Sequence, residues 1–172
     1  LKCAEASLKR LDTDYLDLFM LHGGTIQDDI MESIEAFEIL LKQGKIRYYG
    51  LSSIRPNVIR VHVNYDKLIS VMTQYSLLDR RPEETTLDLL HKNNIGVLVR
   101  GSVGTGLLID KPAKPYLDHT ETSVANAAEA VHHISDGKRS PAQTAIQYVL
   151  HHSAVTTVVV GMHTKKQLEE AV

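Results

Sequence analysis

Its 172 residues include a single cysteine, Cys3, so an internal disulfide is excluded. That usage fits a reducing compartment, and a cytoplasmic location is the expectation. A surplus of one charge is also missing. The net charge is −2 and no basic block stands out, which argues against electrostatic nucleic-acid binding. No apolar run reaches the roughly 18 residues that cross a bilayer, and no secretory signal opens the chain, so no membrane partner is expected. No Gly-x-Gly-x-x-Gly follows the first apolar stretch and no Walker sequence occurs, which weighs against the ordinary Rossmann and P-loop readings. The first residue is Leu1 rather than methionine, and the expectation is that the chain starts within a longer or processed protein.

What is present suffices for one buried core, since 43% of the residues are hydrophobic. The organising stretch is Tyr15-Leu16-Asp17-Leu18-Phe19-Met20-Leu21-His22, followed by Gly23-Gly24. A nearly continuous apolar run of strand length reads as a parallel strand buried on both faces. Loops at the carboxyl ends of such strands are where α/β enzymes carry their chemistry, and His22 stands at one.

Taken in order, residues 1 to 11 read as a helix with Ala4, Leu8 and Leu11 on one face. After the strand that ends at His22, Ile30, Ile34, Phe37 and Leu41 recur at helical spacing, with Asp28 and Asp29 at the start and Gly44 at the stop. Strands are expected over Ile46 to Leu51, Leu68 to Thr73, Ile95 to Val99 and Thr156 to Val160. Helices are expected from Pro56 to about Asn64, from Pro82 to Asn93, over 121–135 and 141–152, and after Thr164. Residues 109 to 120, with two prolines and several charges, read as a surface loop.

Strand and helix alternate with no hairpin signal between strands, so the sheet is expected to be parallel and built of right-handed βαβ units. Five strands fall short of the eight that close a (β/α)8 barrel. The fold expected is a single α/β domain over 1–172, a partial TIM barrel corresponding to its second half. Two strand edges are then left open, and the expectation is self-association through them or contact with the missing half.

The strand ends together resemble the aldo-keto reductase family over essentially the whole chain. The markers are Ser7-Leu8-Lys9-Arg10-Leu11-Asp12-Thr13-Asp14-Tyr15 leading to Leu21-His22, then Gly44-Lys45-Ile46-Arg47-Tyr48-Tyr49-Gly50-Leu51-Ser52-Ser53, then Gln74-Tyr75-Ser76-Leu77-Leu78-Asp79-Arg80-Arg81. Gly106-Leu107-Leu108 and Gly161 with Gln167-Leu168-Glu169-Glu170 complete the set.

The resemblance implies reduction of an aldehyde or ketone by hydride from a nicotinamide cofactor, usually NADPH with NADH still open. Of that family's Asp, Tyr, Lys and His tetrad, only the histidine has a counterpart, His22, which would orient and polarise the substrate carbonyl. The 172 residues alone are therefore expected to be inactive. The family also contains cofactor-binding regulatory subunits that serve as docking proteins, and that non-catalytic role is the alternative.

The cofactor residues follow from the same resemblance. Ser52 and Ser53 would lie near the nicotinamide carboxamide, Ser53 in place of the usual asparagine, and Gln74 would grip it from the other side. Arg100 stands where an aromatic ring usually stacks; a guanidinium is planar and can stack, and its charge disfavours the oxidised ring. Gly101, Ser102, Val103, Gly104 and Gly106 would wrap the pyrophosphate. Gly161, Met162, His163, Gln167 and Glu170 would surround the adenosine 2′-phosphate end, where Lys165 and Lys166 mildly favour NADPH. Plainer roles stand beside these: Ser52-Ser53 as a helix cap, Lys165-Lys166 as a solvated helix face, Arg80-Arg81 as a loop pair bound to carboxylates. No metal site is expected from His132-His133 or His151-His152, because adjacent helical residues point about 100° apart.

Overall fold

The computed structural model describes every residue except Asp66 and Asp136. One parallel sheet runs through the molecule in the order β1 (Leu16–His22), β2 (Ile46–Ser52), β3 (Leu68–Gln74), β4 (Gly96–Arg100) and β5 (Val155–Val159). Spatial order equals chain order, as expected when each strand is followed by a crossover helix of the same hand. The helices are α1 (Lys2–Leu11), α2 (Ile30–Lys42), α3 (Pro56–His62), α4 (Thr86–Lys92), α5 (Glu121–Ser135), α6 (Pro141–Leu150) and α7 (Lys165–Ala171). This is part of a (β/α)8 barrel, with β1 and β5 as the sheet's outer strands.

Local chemistry accounts for the element ends. Asp29 caps α2 by accepting from Met31 N–H at 2.9 Å and Glu32 N–H at 3.2 Å. Ser140 and Gln143 form a reciprocal capping box at the start of α6. One expected helix divides. Arg81–Glu84 is a 3-10 turn, and the α-helix begins only at Thr86 because Thr85 leaves helical geometry at φ −151°. The first strand also differs from expectation. β1 is half-buried and His22 is exposed, since an outer strand has a neighbour on one side only.

Side chains alternate across the sheet. Phe19 and Leu21, Tyr49 and Leu51, Val71, Val97 and Val99 face the helices and join Phe37, Leu40, Val58, Leu87 and Val149 in the main core. There Phe37 stacks on Tyr49 with ring centroids 4.5 Å apart. A second cluster gathers Leu78, Leu107, Leu108, Val124, Val131 and Ala145 under the loop that follows β4.

The opposite face carries the rows that hold several of the candidate site residues. His22 pairs with Ser52, Ser52 with Met72, and Met72 with Leu98. Two residues further along, Gln74 pairs with Arg100 and Arg100 with Val159. Pleating by twos therefore puts His22, Ser52, Gln74 and Arg100 on one face at one end of the sheet. Gly50 sits below them, and a Cβ there would meet Ser70 Oγ at 2.6 Å, so close strand packing requires glycine.

Candidate functional site

The rim at the carboxyl ends is fastened loop to loop. Gly23 and Gly24 both take positive φ, at 87° and 86°, which turns the chain directly after His22. Gly23 N–H donates to Ser52 O at 2.8 Å, and Arg55 Nη1 donates to Gly24 O at 2.6 Å. The His22 turn is thus held against the loop after β2. Ser53 is buried, its N–H donates to Met72 O at 3.0 Å, and its hydroxyl accepts from Arg55 N–H at 3.2 Å. Arg55, rather than Ser53, occupies the capping position of α3, so Ser53 organises the loop that leads into that helix.

Gln74 is the most heavily engaged group on the rim. Its Nε2 donates to Asp79 Oδ2 at 2.8 Å and to Tyr116 Oη at 3.1 Å, and its Oε1 accepts from Arg100 Nη1 at 2.8 Å. Asp79 is buried and is held by Arg81, with Nε to Oδ1 at 2.7 Å and Nη2 to Oδ2 at 2.8 Å. Burial alone would raise the Asp79 carboxyl; the hydrogen bonds from Arg81 and Gln74 outweigh it and keep the group below the ordinary carboxylate range. Burial, with the Asp79 charge nearby, pushes the Tyr116 phenol up, so it stays a neutral hydroxyl. Two tight turns present these partners. Ser76 and Asp79 exchange backbone hydrogen bonds, and so do Tyr116 and His119.

Beside this rim lies a cleft of about 330 Å³. The loop after β4 forms one wall with Gly101, Ser102, Val103 and Gly106, and the segment after β5 forms the other with Gly161, Met162 and His163. Gln167 and Glu170 of α7 close it, and Ile109, Asp110 and Lys111 line the outer end. Nine of the sequence-selected residues therefore meet around one space. Gly104 does not line it; that glycine packs downward, where a Cβ would meet Leu78 Cδ1 at 3.1 Å. His22, Ser52, Ser53, Gln74 and Arg100 lie on the rim outside the cleft. Gly101 joins the two regions, since a Cβ on it would stand 3.3 Å from Gln74 Cγ.

The cleft has the polar inventory for an anionic ligand. Ser102 Oγ is buried with no hydrogen-bond partner among the described residues. The loop's own bonds run from Gly104 N–H to Gly101 O and from Gly106 N–H to Val103 O, leaving the Ser102 and Val103 N–H groups out of them. Gly101, Gly104, Thr105 and Gly106 all take positive φ, so the backbone of this loop is tightly wound. Lys111 lays its aliphatic stem over Gly106. Gln167 spends its Oε1 on His163 N–H at 2.7 Å, and its own N–H donates to Thr164 Oγ at 3.2 Å. It holds the far wall in place, and its Nε2 has no hydrogen-bond partner among the described residues. Lys165 and Lys166 pair with Glu169 and Glu170 along α7 at 3.4 and 3.5 Å. One histidine of each pair makes a local contact: His132 Nε2 meets Ile109 O at 2.6 Å, and His152 Nδ1 accepts from Ala154 N–H at 3.2 Å.

Sequence reading assigned no role to Asp79, Tyr116, Lys111 or Arg55. Asp79 stands within a quoted motif, five residues after Gln74, and the lysine five residues after Gly106 was a usable charge signal. Tyr116 gave only the hint of an aromatic in a proline-rich loop.

Comparison with known proteins places the family and the fold. Residues 1–172 match the family described as Aldo/keto reductase family. The chain is 44% identical over 178 residues to the uncharacterized oxidoreductase YqkF of Bacillus subtilis, covering 98% of this chain and 58% of that protein. It is 33% identical over 115 residues to the NADH-specific methylglyoxal reductase of Escherichia coli, covering 65% of this chain and 35% of that protein. Among solved structures, the holo form of aldo-keto reductase AKR11C1 from Bacillus halodurans superposes with a TM-score of 0.86 at 41% identity, covering 99% of this chain and 56% of that one. The chain thus spans somewhat more than half the length of YqkF and of AKR11C1.

Proposed function

The chain belongs to the aldo/keto reductase family of oxidoreductases, and from that membership we propose that its rim and cleft hold one NAD(P)H molecule, with NADPH as the first candidate, for reduction of a small aldehyde or ketone. The observation that carries the reading is the cleft itself. Glycines, a buried hydroxyl without a partner and a lysine surround one space that opens beside the Gln74 amide.

The residues present fit a dinucleotide. The Ser102 hydroxyl, the Ser102 and Val103 N–H groups and the Lys111 ammonium take the pyrophosphate, because all of them donate. Met162, His163, Gln167 and Glu170 take the adenosine end. Gln74, Ser52 and Ser53 take the carboxamide, and the Arg100 guanidinium supplies a planar face for the ring. When bound, the nicotinamide supplies hydride to the carbonyl carbon. His22, at the turn after β1, hydrogen-bonds the carbonyl oxygen and stabilises the negative charge that develops there.

Lys165 and Lys166 contribute little to the choice between NADPH and NADH, since each is exposed and paired within its own helix. Lys111 lies closer to the cleft and is the stronger cation there.

The test is a fluorescence titration of the purified chain with NADPH and NADH, followed by an assay for carbonyl turnover. Saturable binding that Lys111→Ala weakens supports the reading, and absence of binding by either dinucleotide ends it. The 172 residues hold one member of the family's tetrad, so binding without turnover is the expected result for this length of chain. Turnover that His22→Ala abolishes would show that these residues suffice for catalysis.

A further inference from the structure

The Gln74 amide is flanked by two groups of opposite capacity. On its inner side Asp79, an ionised carboxylate, only accepts; on its outer side Arg100 only donates. One orientation of the amide satisfies both: NH2 inward, Oε1 outward. The two partners are not equal in force. Arg100 is exposed and can turn to water. The Asp79 side chain is 1% exposed and is locked by Arg81 and by the Ser76–Asp79 turn, so it cannot move away. Reversing the amide would bury oxygen against oxygen there, whereas losing the Arg100 contact at the surface costs little. Tyr116 does not discriminate, because a hydroxyl both donates and accepts.

We propose that Asp79 is a positioning residue that fixes the Gln74 amide with its oxygen toward the rim, so that Gln74 receives a ligand carboxamide only through that carboxamide's NH2 group. Asp79 touches neither cofactor nor substrate. Its effect passes through Gln74, whose Oε1 keeps one lone pair free beside the bond from Arg100. The inference rests on the nicotinamide reading above and adds a direction to it: at this point the protein accepts and the ligand donates.

The test compares NADP+ with its acetylpyridine analogue, in which a methyl ketone replaces the carboxamide and the donor is lost while size and charge are kept. Calorimetric affinities for the wild-type chain are expected to favour NADP+ by about fivefold or more, the worth of one hydrogen bond in a partly buried site. In Asp79→Asn the inner neighbour can accept from the Gln74 NH2 or, turned over, donate to its Oε1, so the preference is expected to fall below about twofold while both ligands still bind.

A merely structural role for Asp79 predicts that both affinities drop together with the ratio unchanged, and that result overturns the proposal. So does a wild-type chain that binds the two dinucleotides equally, a result that leaves the nicotinamide reading standing. A wild-type chain that binds neither removes the nicotinamide reading itself, and the proposal falls with it. Should Asp79→Asn fail to fold, Arg81→Gln decides. Without its cation the buried carboxyl is no longer locked in place and shifts upward toward its neutral form, which donates as well as accepts, and the preference must shrink at least about twofold. An unchanged preference in that variant overturns the proposal.

Discussion

Lys111 lies across Gly106, its Cδ and Cε 3.1 Å from the point where a Cβ on that glycine would stand. The contact joins the turn that forms the cleft wall to the cation at its outer end. Gly106 also holds φ at +94°, a conformation L side chains rarely adopt. Gly106→Ala is therefore expected to destabilise the chain by about 1–2 kcal/mol and to weaken NADPH binding as Lys111 is displaced. Lys111→Ala separates the two effects. Thermal unfolding should change by less than about 0.5 kcal/mol, with a loss of affinity of about tenfold in the fluorescence titration.

Strand packing gives a second prediction. At Gly50 a Cβ would stand 2.6 Å from Ser70 Oγ and 2.9 Å from the Ser70 carbonyl oxygen. The serine hydroxyl can rotate but the carbonyl cannot. Gly50→Ala is expected to cost about 2–3 kcal/mol in urea unfolding, from overpacking between β2 and β3.

The aromatic stack predicts more. Phe37 is 5% exposed, stacks on Tyr49 and meets the edge of Phe19, with ring centroids 6.2 Å apart for the latter pair. Phe37→Ala is expected to cost about 3–5 kcal/mol, enough to leave much of a marginally stable chain unfolded at 25 °C by circular dichroism.

Acid sensitivity has an identifiable source at the end of β3. Arg80 binds both oxygens of Glu83, and Tyr75 Oη donates to Glu83 Oε1 at 2.8 Å. The Arg80 hydrogen bonds, with Tyr75 adding its own against the cost of burial, hold the Glu83 carboxyl down to about 2. A carboxylate depressed in the folded state stabilises it above the unfolded pKa, and that stabilisation disappears as pH falls from about 4.5 to about 2. Because Arg80 is solvent-exposed, the contribution is discounted to about 1 kcal/mol. Glu83→Gln should lower stability by that amount at pH 7 and flatten the acid limb of the stability-versus-pH curve.

Charge on α7 yields a negative prediction. Replacing both Lys165 and Lys166 by alanine should change the NADPH to NADH affinity ratio by less than about threefold, because their side chains are 88% and 82% exposed and already face Glu169 and Glu170. A larger change would show that these lysines leave their helix partners to reach the ligand.

The order and direction of the strands could be read from the sequence. Apolar runs that end at His22, Ser52, Gln74, Arg100 and Val160, separated by helical periodicities, admit little besides a parallel sheet. That pattern is local and repeats along the chain. The residues of the cleft were reached through the family resemblance; by their own pattern the glycines after β4 mark a turn and nothing more. Two features needed tertiary structure. The break at Thr85 depends on how the Arg81–Glu84 turn seats against the core. The engagement of Gln74 depends on Asp79 and Tyr116, brought in by two separate turns, the second of them 42 residues further along the chain. Sequence specifies which side chains can donate or accept; only packing decides which of them meet, and so which end of an amide is left for a ligand.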